Sequence, residues 1–164
     1  MTKGSAYVAV VFALLFGYFA YQWWLNPARA VKGRLGEVAA ALSVPETESD
    51  IAHVARLARL RRYLADDLRV SAGAEQIRSR DAAVAAAEGW KPQPGSGDVH
   101  FADVQVFIES ETTAHAYLAV ELTSLDPERG HPTVSSRDAS VSLAKRDGEW
   151  VITEAESKEM PGWP

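Results

Sequence analysis

The chain has 164 residues, of which 47% are hydrophobic and 24% charged, and its formal net charge at pH 7 is −5. The absence of cysteine excludes a disulfide-held scaffold and a cysteine-ligated zinc site, and it fits a reducing compartment without excluding an oxidising one. The net negative charge argues against nucleic acid as a partner.

The first element in chain order is an uncharged run at positions 6–25. In a helix such a run spans about 30 Å, which matches the hydrocarbon core of a bilayer. Tyr7 near one end and Trp23 and Trp24 at the other form an interface belt of amphipathic rings. We therefore expect residues 1–28 to be a single transmembrane anchor in the lipid bilayer.

Small side chains recur along this helix, at Ala6, Ala9, Ala13, Gly17 and Ala20. Small residues let a second helix backbone approach closely inside a membrane. This helix-packing face predicts other transmembrane subunits as partners.

A cleaved signal peptide is the alternative to a retained anchor. Residues 28–30 (ARA) provide the small residues of a signal peptidase site. The apolar run is longer than the usual signal-peptide core of about 7 to 15 residues, and the two tryptophans at its end favour an anchor.

Basic residues near the span predict its orientation. Arg29, Lys32 and Arg34 follow it, whereas Lys3 precedes it. The positive-inside rule then places the soluble domain in the cytoplasm. We expect the anchor to lie in the inner (cytoplasmic) membrane.

Three helices are predicted after the anchor. The first carries Val31, Leu35, Val38 and Leu42 at helical spacing and ends before Pro45. The second begins at a cap and the third, rich in alanine, runs over residues 74–88. The second helix has Ser49 or Thr47 as its cap and an apolar stripe of Ile51, Val54, Leu57, Ala58 and Leu64, with Arg56, Arg59 and Arg62 projecting elsewhere.

The apolar period changes from helical to two after a loop rich in glycine and proline. Four strands are predicted, at residues 99–108, 114–123, 139–145 and 150–154. Asp147-Gly148 is a hairpin signal between the last two. The order of elements predicts an α+β domain over residues 29–157, with helices packed on a curved antiparallel sheet of four or more strands, and a tail over residues 158–164.

The chain resembles the nuclear transport factor two-like superfamily of cone-shaped domains, which includes SnoaL-like polyketide cyclases and ketosteroid isomerase. Residues 61–70 (RRYLADDLRV) resemble the end of the family's long helix entering its first short strand. Residues 74–83 (AEQIRSRDAA) resemble the short helix that follows, and residues 145–152 (KRDGEWVI) resemble the final hairpin.

In the isomerase-like members a carboxylate just after the Asp-Asp segment acts as a general base inside the cone. The corresponding residues 70–73 (VSAG) include no acid. The resemblance therefore implies the fold but not the enzymatic activity, and we expect no catalytic residue, no cofactor and no metal site. Asp66 and Asp67 are expected to pair with Arg62 or Arg69, and Tyr63 to fill the core.

The four histidines are scattered. A hairpin centred near Glu111 would place His100 opposite Leu122 and His115 opposite Phe107, so these rings would not meet. His115 is expected on the polar face of its strand. If the cone is an enzyme, its strand candidates are Asp103, His115 and Glu121.

Arginines on the second soluble helix are either a solvated face or a docking surface for lipid headgroups or an acidic subunit. The candidate docking residues are Arg56, Arg59 and Arg62, with Trp163 in the tail.

These features predict a non-enzymatic accessory subunit of a membrane complex, energy-transducing or transport, whose soluble domain braces subunits at the membrane face. The alternatives are a membrane-tethered SnoaL-like enzyme and a binding module for a hydrophobic small molecule. The interior of the cone discriminates among them: a filled apolar interior favours the subunit, an inward acid the enzyme, and an open acid-free interior the binding module.

Overall fold

The structure, a computed structural model, describes residues 3–158, and the side chains of residues 3–6 and 24 are outside that description. The elements are α1 (Lys3–Trp24), α2 (Pro27–Leu42), α3 (Asp50–Tyr63), β1 (Leu64–Ala72), β2 (Glu75–Ile77), α4 (Arg80–Gly89), β3 (Val99–Ile108), β4 (Thr113–Leu125), β5 (Pro132–Arg146) and β6 (Glu149–Ser157). The predicted α+β class is confirmed.

The strands form one sheet in the order β2-β1-β6-β5-β4-β3. All neighbours are antiparallel except β1 and β6, which are parallel, so the expectation of a purely antiparallel sheet is wrong for that pair. Hairpin signals reveal only antiparallel neighbours, because a parallel pair joins strands that are distant in sequence. Register shifts between Ala102 and Gln105 and between Ser142 and Leu143 are bulges that bend the sheet.

Helix α2 follows its predicted pattern. Asn26 caps it through a bond from the Ala28 N–H to its side chain, and the helix ends at Leu42. Val31, Leu35 and Val38 are buried in the core between the helices and the sheet. Burying each such side chain stabilises the fold by about 1.5–3 kcal/mol.

Helix α3 buries only part of its predicted apolar stripe: Leu57 is buried, as predicted, and the buried Leu64 belongs to β1. Ser49 caps it, as expected, but Ile51 and Val54 are 84% and 66% exposed. Arg56 is instead only 3% exposed. Its guanidinium donates to the Glu48 carboxylate and to the Ala41 carbonyl. Both partners lie outside α3, and these bonds fix the rotation of the helix about its axis.

The third predicted helix, at residues 74–88, is wrong over residues 74–79. Residues 75–77 form the edge strand β2, because Gly73 at φ +62° reverses the chain and lets Ile77 pair with Val70. Helix α4 begins only after Ser79, whose hydroxyl accepts a bond from the Ala82 N–H. The second helix likewise ends at Tyr63, so Leu64 begins β1.

The four predicted strands correspond to β3–β6, and β3 has the predicted bounds. Strands β4, β5 and β6 are longer than predicted. The segments at their ends carry polar residues on both faces, so the alternating pattern that predicts a strand is absent there. Asp147 and Gly148 form the β5–β6 turn with φ of 52° and 79°, which is the geometry of a type I′ hairpin.

Helix α1 is long and apolar enough to cross a membrane, by length and composition only. Its described side chains at residues 7–23 are all exposed, so α1 contributes nothing to the core of the soluble domain. A signal sequence near the N-terminus also meets this criterion of length and composition. The type of membrane and the orientation of the helix stay predictions.

Candidate functional site

The concave face of the sheet and helices α2–α4 enclose a cavity of about 420 Å³. Ligand-binding cavities usually have volumes of about 300–1,000 Å³. Its wall is almost entirely apolar, because the inward positions of each strand carry aliphatic or aromatic side chains. Residues from each wall include Leu60, Leu68, Trp90, Phe101, Leu118 and Val141.

Helix α4 forms the most loosely packed wall of this cone cavity. Ala83, Ala87 and Trp90 line it, yet no residue of α4 is fully buried. A helix that contributes mainly alanine methyl groups leaves space beneath it instead of filling it. These three side chains accordingly keep partial exposure.

Polar groups on the cavity wall are few. Ser71 and Ser157 contribute hydroxyls, and Glu156 is the one ionisable residue among the described lining residues. Glu156 is exposed, unlike a general base enclosed within a cone.

The three strand candidates for catalysis lie outside the cone cavity lining. His115 has its Nδ1 3.1 Å from the Ser142 Oγ, and its ring centroid lies 4.7 Å from that of Tyr117. It occupies the opposite sheet face to the buried Ala114 and Ala116, as predicted.

The two predicted histidine pairings have different outcomes. His115 pairs with Phe107, which confirms one prediction. His100 pairs with Glu121 and not with Leu122, so the other is wrong by one residue. The cause is the β3 bulge, which shifts the register on the far side of Asp103.

Asp103 lies at the bulge with a φ of 51°, and it is exposed. It lines a separate depression of about 300 Å³ on the outside of the sheet, together with Asp138 and Lys158.

Asp66 and Asp67 form ion pairs, as predicted, but with partners more distant in sequence. Asp66 binds Arg80, and Asp67 receives bonds of 2.8 and 3.3 Å from the Arg146 guanidinium. The latter bonds hold the pKa of Asp67 below its usual range. Both aspartates lie on β1 and not at a helix terminus, so the predicted partners Arg62 and Arg69 are wrong.

Tyr63 is half-buried, and the guanidinium carbon of Arg34 lies 4.6 Å from its ring centroid. This contact joins the C-terminal end of α3 to the N-terminal half of α2. Tyr63 does not line the cone cavity.

The arginines proposed for docking occupy different environments. Arg56 is buried, whereas Arg59 and Arg62 are exposed. The Arg62 guanidinium lies 3.7 Å from Glu149, and Arg59 has no ion pair or side-chain hydrogen bond among the described residues. Trp163 lies outside the described residues. Docking stays a prediction for the exposed members.

The helix-packing face is exposed at Ala9, Ala13, Gly17 and Ala20, and a methyl group added at Gly17 would have no neighbour within 4 Å. The side chain of Ala6 is outside the described part, as is that of Trp24. In the interface belt, Tyr7 and Trp23 are exposed, and the Arg29 guanidinium lies 5.2 Å from the Trp23 ring centroid.

No protein-family model matches the sequence, and no curated protein matches it. Similar solved structures do exist. A putative scytalone dehydratase from Novosphingobium aromaticivorans superposes with a TM-score of 0.66 at 17% identity, over 83% of this chain and 85% of the other. The chain has the nuclear transport factor two-like fold.

Two further structures support that fold. An NTF2-like protein with a cystatin-like fold from Novosphingobium aromaticivorans gives a TM-score of 0.63 at 15% identity, over 88% of this chain and 90% of the other. An NTF2-like protein of unknown function from Shewanella oneidensis gives 0.61 at 17% identity, over 81% and 99%. Such low identities show a shared fold and leave the activity to be argued from the site.

The NTF2-like fold locates the position at which the resemblance expects a base. Val70 and Ser71 line the cone cavity. The position thus faces the interior, but it offers a serine hydroxyl, which is not a base near neutral pH.

Sequence reasoning missed Trp90 as a cavity residue. Trp90 directly follows Gly89, the last residue of α4. The sequence feature that could have pointed to Trp90 is the alanine-rich helix before it. Such a helix cannot fill the space between a large aromatic side chain and a sheet.

Proposed function

We propose that this protein is a membrane-anchored, non-enzymatic binding module for an apolar small molecule. The observation that carries the proposal is the cone cavity, which is apolar and whose one ionisable residue among the described lining residues is the exposed Glu156. Transfer of an apolar ligand from water to such a wall is favourable by about 25 cal/mol per Å² of buried surface.

The anchor supports this function by placing the cavity beside a bilayer. Apolar molecules concentrate in the hydrocarbon core of a membrane, and α1 is long and apolar enough to lie in it. The cone would then exchange its ligand with the membrane without releasing the anchor.

Photolabelling tests the proposal on the full chain in nanodiscs of neutral lipid. An uncharged alkane that carries a diazirine should label peptides of α4 and β4 in addition to the lipid-exposed α1. Ala87→Trp places an indole in the cavity and should reduce α4 and β4 labelling at least tenfold. Ala85→Trp is the matched control, because Ala85 is exposed on α4 and does not line the cavity. Labelling confined to α1 would contradict the proposal.

An accessory subunit of a membrane complex is the second candidate. Phe107 and Tyr117 are 53% and 51% exposed on the outer face of the sheet, with ring centroids 5.9 Å apart. Exposed aromatic side chains of this kind are typical of protein interfaces.

Native gels in mild detergent test that candidate. The chain should migrate with partners of the complex, and Tyr117→Glu should release it. Migration of the wild-type chain only near its own mass of 17.8 kDa would contradict the role.

A further inference from the structure

A second concavity lies outside the cone, between α2, α3 and the edge strand β3. Its volume is about 650 Å³. The floor of this groove consists of small and apolar residues: Gly36, Ala39, Ala40, Val99, Phe101 and Val104. The small residues of α2 leave room for an extended apolar chain to lie along the helix.

Two cations without a protein partner line the same groove. Lys32 and Arg59 are exposed and form no ion pair or side-chain hydrogen bond among the described residues. Arg56, also on the wall, is neutralised by Glu48 at 2.8 Å. Asp98 is the remaining carboxylate of the lining, and it is exposed and likewise forms no ion pair among the described residues. The unpaired charge of the groove is thus positive.

Lys32 lies at the end of the groove near the anchor, and Arg59 lies between that end and the middle of the groove. Arg34 stacks on Tyr63, while Arg56 binds the Ala41 carbonyl, so α2 and α3 run antiparallel. Arg59 is therefore level with about residue 38 of α2, and it is the α3 residue of the lining that lies nearest to Lys32. Lys32 is only about 8 Å along the axis from the start of α2, by the helical rise of 1.5 Å per residue.

We propose that this groove binds one anionic amphiphile from the bilayer, a phosphate or carboxylate head on an aliphatic chain. The head lies between Lys32 and Arg59, and the chain follows the apolar floor away from the membrane toward Phe101. Phe101 also lines the cone cavity, so the groove leads from the membrane face to the cone wall. The inference rests on the proposed function only in assuming that α1 holds the domain at a bilayer.

Native mass spectrometry of the full chain in a neutral detergent tests the proposal, with dodecyl phosphate as the probe. One dodecyl phosphate should bind per chain, and inorganic phosphate and dodecanol should each bind at least tenfold more weakly, because each lacks one half of the contacts. If inorganic phosphate binds equally well, the proposal that the ligand is an amphiphile is wrong. If dodecanol binds equally well, the proposed role of the cations is wrong.

Matched glycine variants locate the site. A side chain at Gly36 would meet nothing within 4 Å, so Gly36→Leu fills the groove without distorting the helix and should abolish binding. Gly33 is on the same helix, has the same free space and does not line the groove, so Gly33→Leu should bind normally. Normal binding by Gly36→Leu would overturn the proposal.

Charge variants test the head group. Lys32→Gln and Arg59→Gln should each weaken binding about tenfold, the usual effect of one charge-assisted contact. Lys91→Gln removes an exposed cation outside the groove and should have no effect. An unchanged affinity in both groove variants would place the head elsewhere and overturn the proposal.

The cone variant Ala87→Trp separates this site from the proposed function. It should lose alkane labelling of the cone while binding dodecyl phosphate normally. If Ala87→Trp loses dodecyl phosphate binding while Gly36→Leu binds normally, the amphiphile binds in the cone cavity, and the proposed groove site is wrong.

Discussion

Arg56 connects three segments of the molecule through one guanidinium. It donates to the Glu48 carboxylate in the α2–α3 connection, at 2.8 and 3.3 Å, and to the Ala41 carbonyl at the end of α2, at 2.9 Å. His53 adds a contact of 3.0 Å to the same carboxylate. A buried ion pair costs desolvation energy, but removing one partner leaves the other uncompensated.

Arg56→Met should therefore lower the free energy of unfolding by about 3 kcal/mol, because it removes the guanidinium from the Ala41 carbonyl and leaves Glu48 with the His53 contact alone. Urea unfolding of the full chain in mild detergent, followed by near-UV circular dichroism, measures this loss. Arg59→Met is the matched control and should stay within about 0.5 kcal/mol of the wild type. Equal effects of the two changes would contradict the role of Arg56.

Glu48 gives the fold an acid-sensitive contribution. The hydrogen bond from Arg56, followed by that from His53, holds the pKa of Glu48 below its ordinary value of 4.5. A carboxyl group with a lowered pKa in the folded state stabilises the fold above its unfolded pKa, and this contribution is lost as the pH falls through the folded pKa.

The difference in melting temperature between the wild type and Glu48→Gln should consequently be constant near neutral pH and shrink below about pH 4.5. Thermal unfolding between pH 7 and pH 3 measures it. Glu46→Gln, at an exposed position two residues away, should show no such pH dependence relative to the wild type. A constant Glu48→Gln difference down to pH 3 would contradict the lowered pKa.

Among the secondary-structure elements, two glycines have the same free space around the position of a Cβ atom and differ in backbone conformation. Gly148 has a φ of 79° in the β5–β6 turn, whereas Gly33 is within α2, and neither would place an added methyl group within 4 Å of a neighbour. A methyl group opposes a positive φ and favours a helix.

Gly148→Ala should therefore destabilise the domain by about 1 kcal/mol, and Gly33→Ala should stabilise it by up to about 1 kcal/mol. Melting temperatures of the two variants measure the opposite signs. Gly148→Asn should retain most of the stability, because asparagine tolerates a positive φ in turns. Shifts of the same sign in both alanine variants would show that another effect dominates.

At the scale of the whole molecule, the core of the domain is independent of α1. Its buried side chains come from α2, α3 and the sheet, and the described α1 side chains are exposed. Deletion of residues 1–25 should therefore give a folded chain that is recovered in the soluble fraction, while the full chain resists carbonate extraction. An aggregated or unfolded truncation product would show that α1 supports the fold.

The orientation of the domain is a separate prediction. The chain has no cysteine, and residue 111 is at the exposed β3–β4 turn, so Glu111→Cys offers a single thiol. A membrane-impermeant maleimide should label it only after cells are opened, if the positive-inside rule holds for Arg29, Lys32 and Arg34. Labelling in intact cells would reverse the orientation.

The sequence by itself determined the elements whose signals are local. The uncharged run, the α2 stripe that ends before Pro45, the Ser49 cap and the Asp147-Gly148 turn each depend on residues within one or two turns of chain. The period-2 pattern likewise gave the bounds of β3. Such features could be predicted because covalent geometry and burial of one face act over short distances.

Which faces meet and which charges pair depends on contacts between segments that are distant in sequence. Arg56 is buried because the Ala41 carbonyl and Glu48 come together in space, and the same rotation exposes Ile51 and Val54. The parallel β1–β6 pair closes the cone, and with α4 it forms an apolar cavity from positions far apart in sequence. No local pattern records these contacts, because their free energy depends on partners that the chain brings together only on folding.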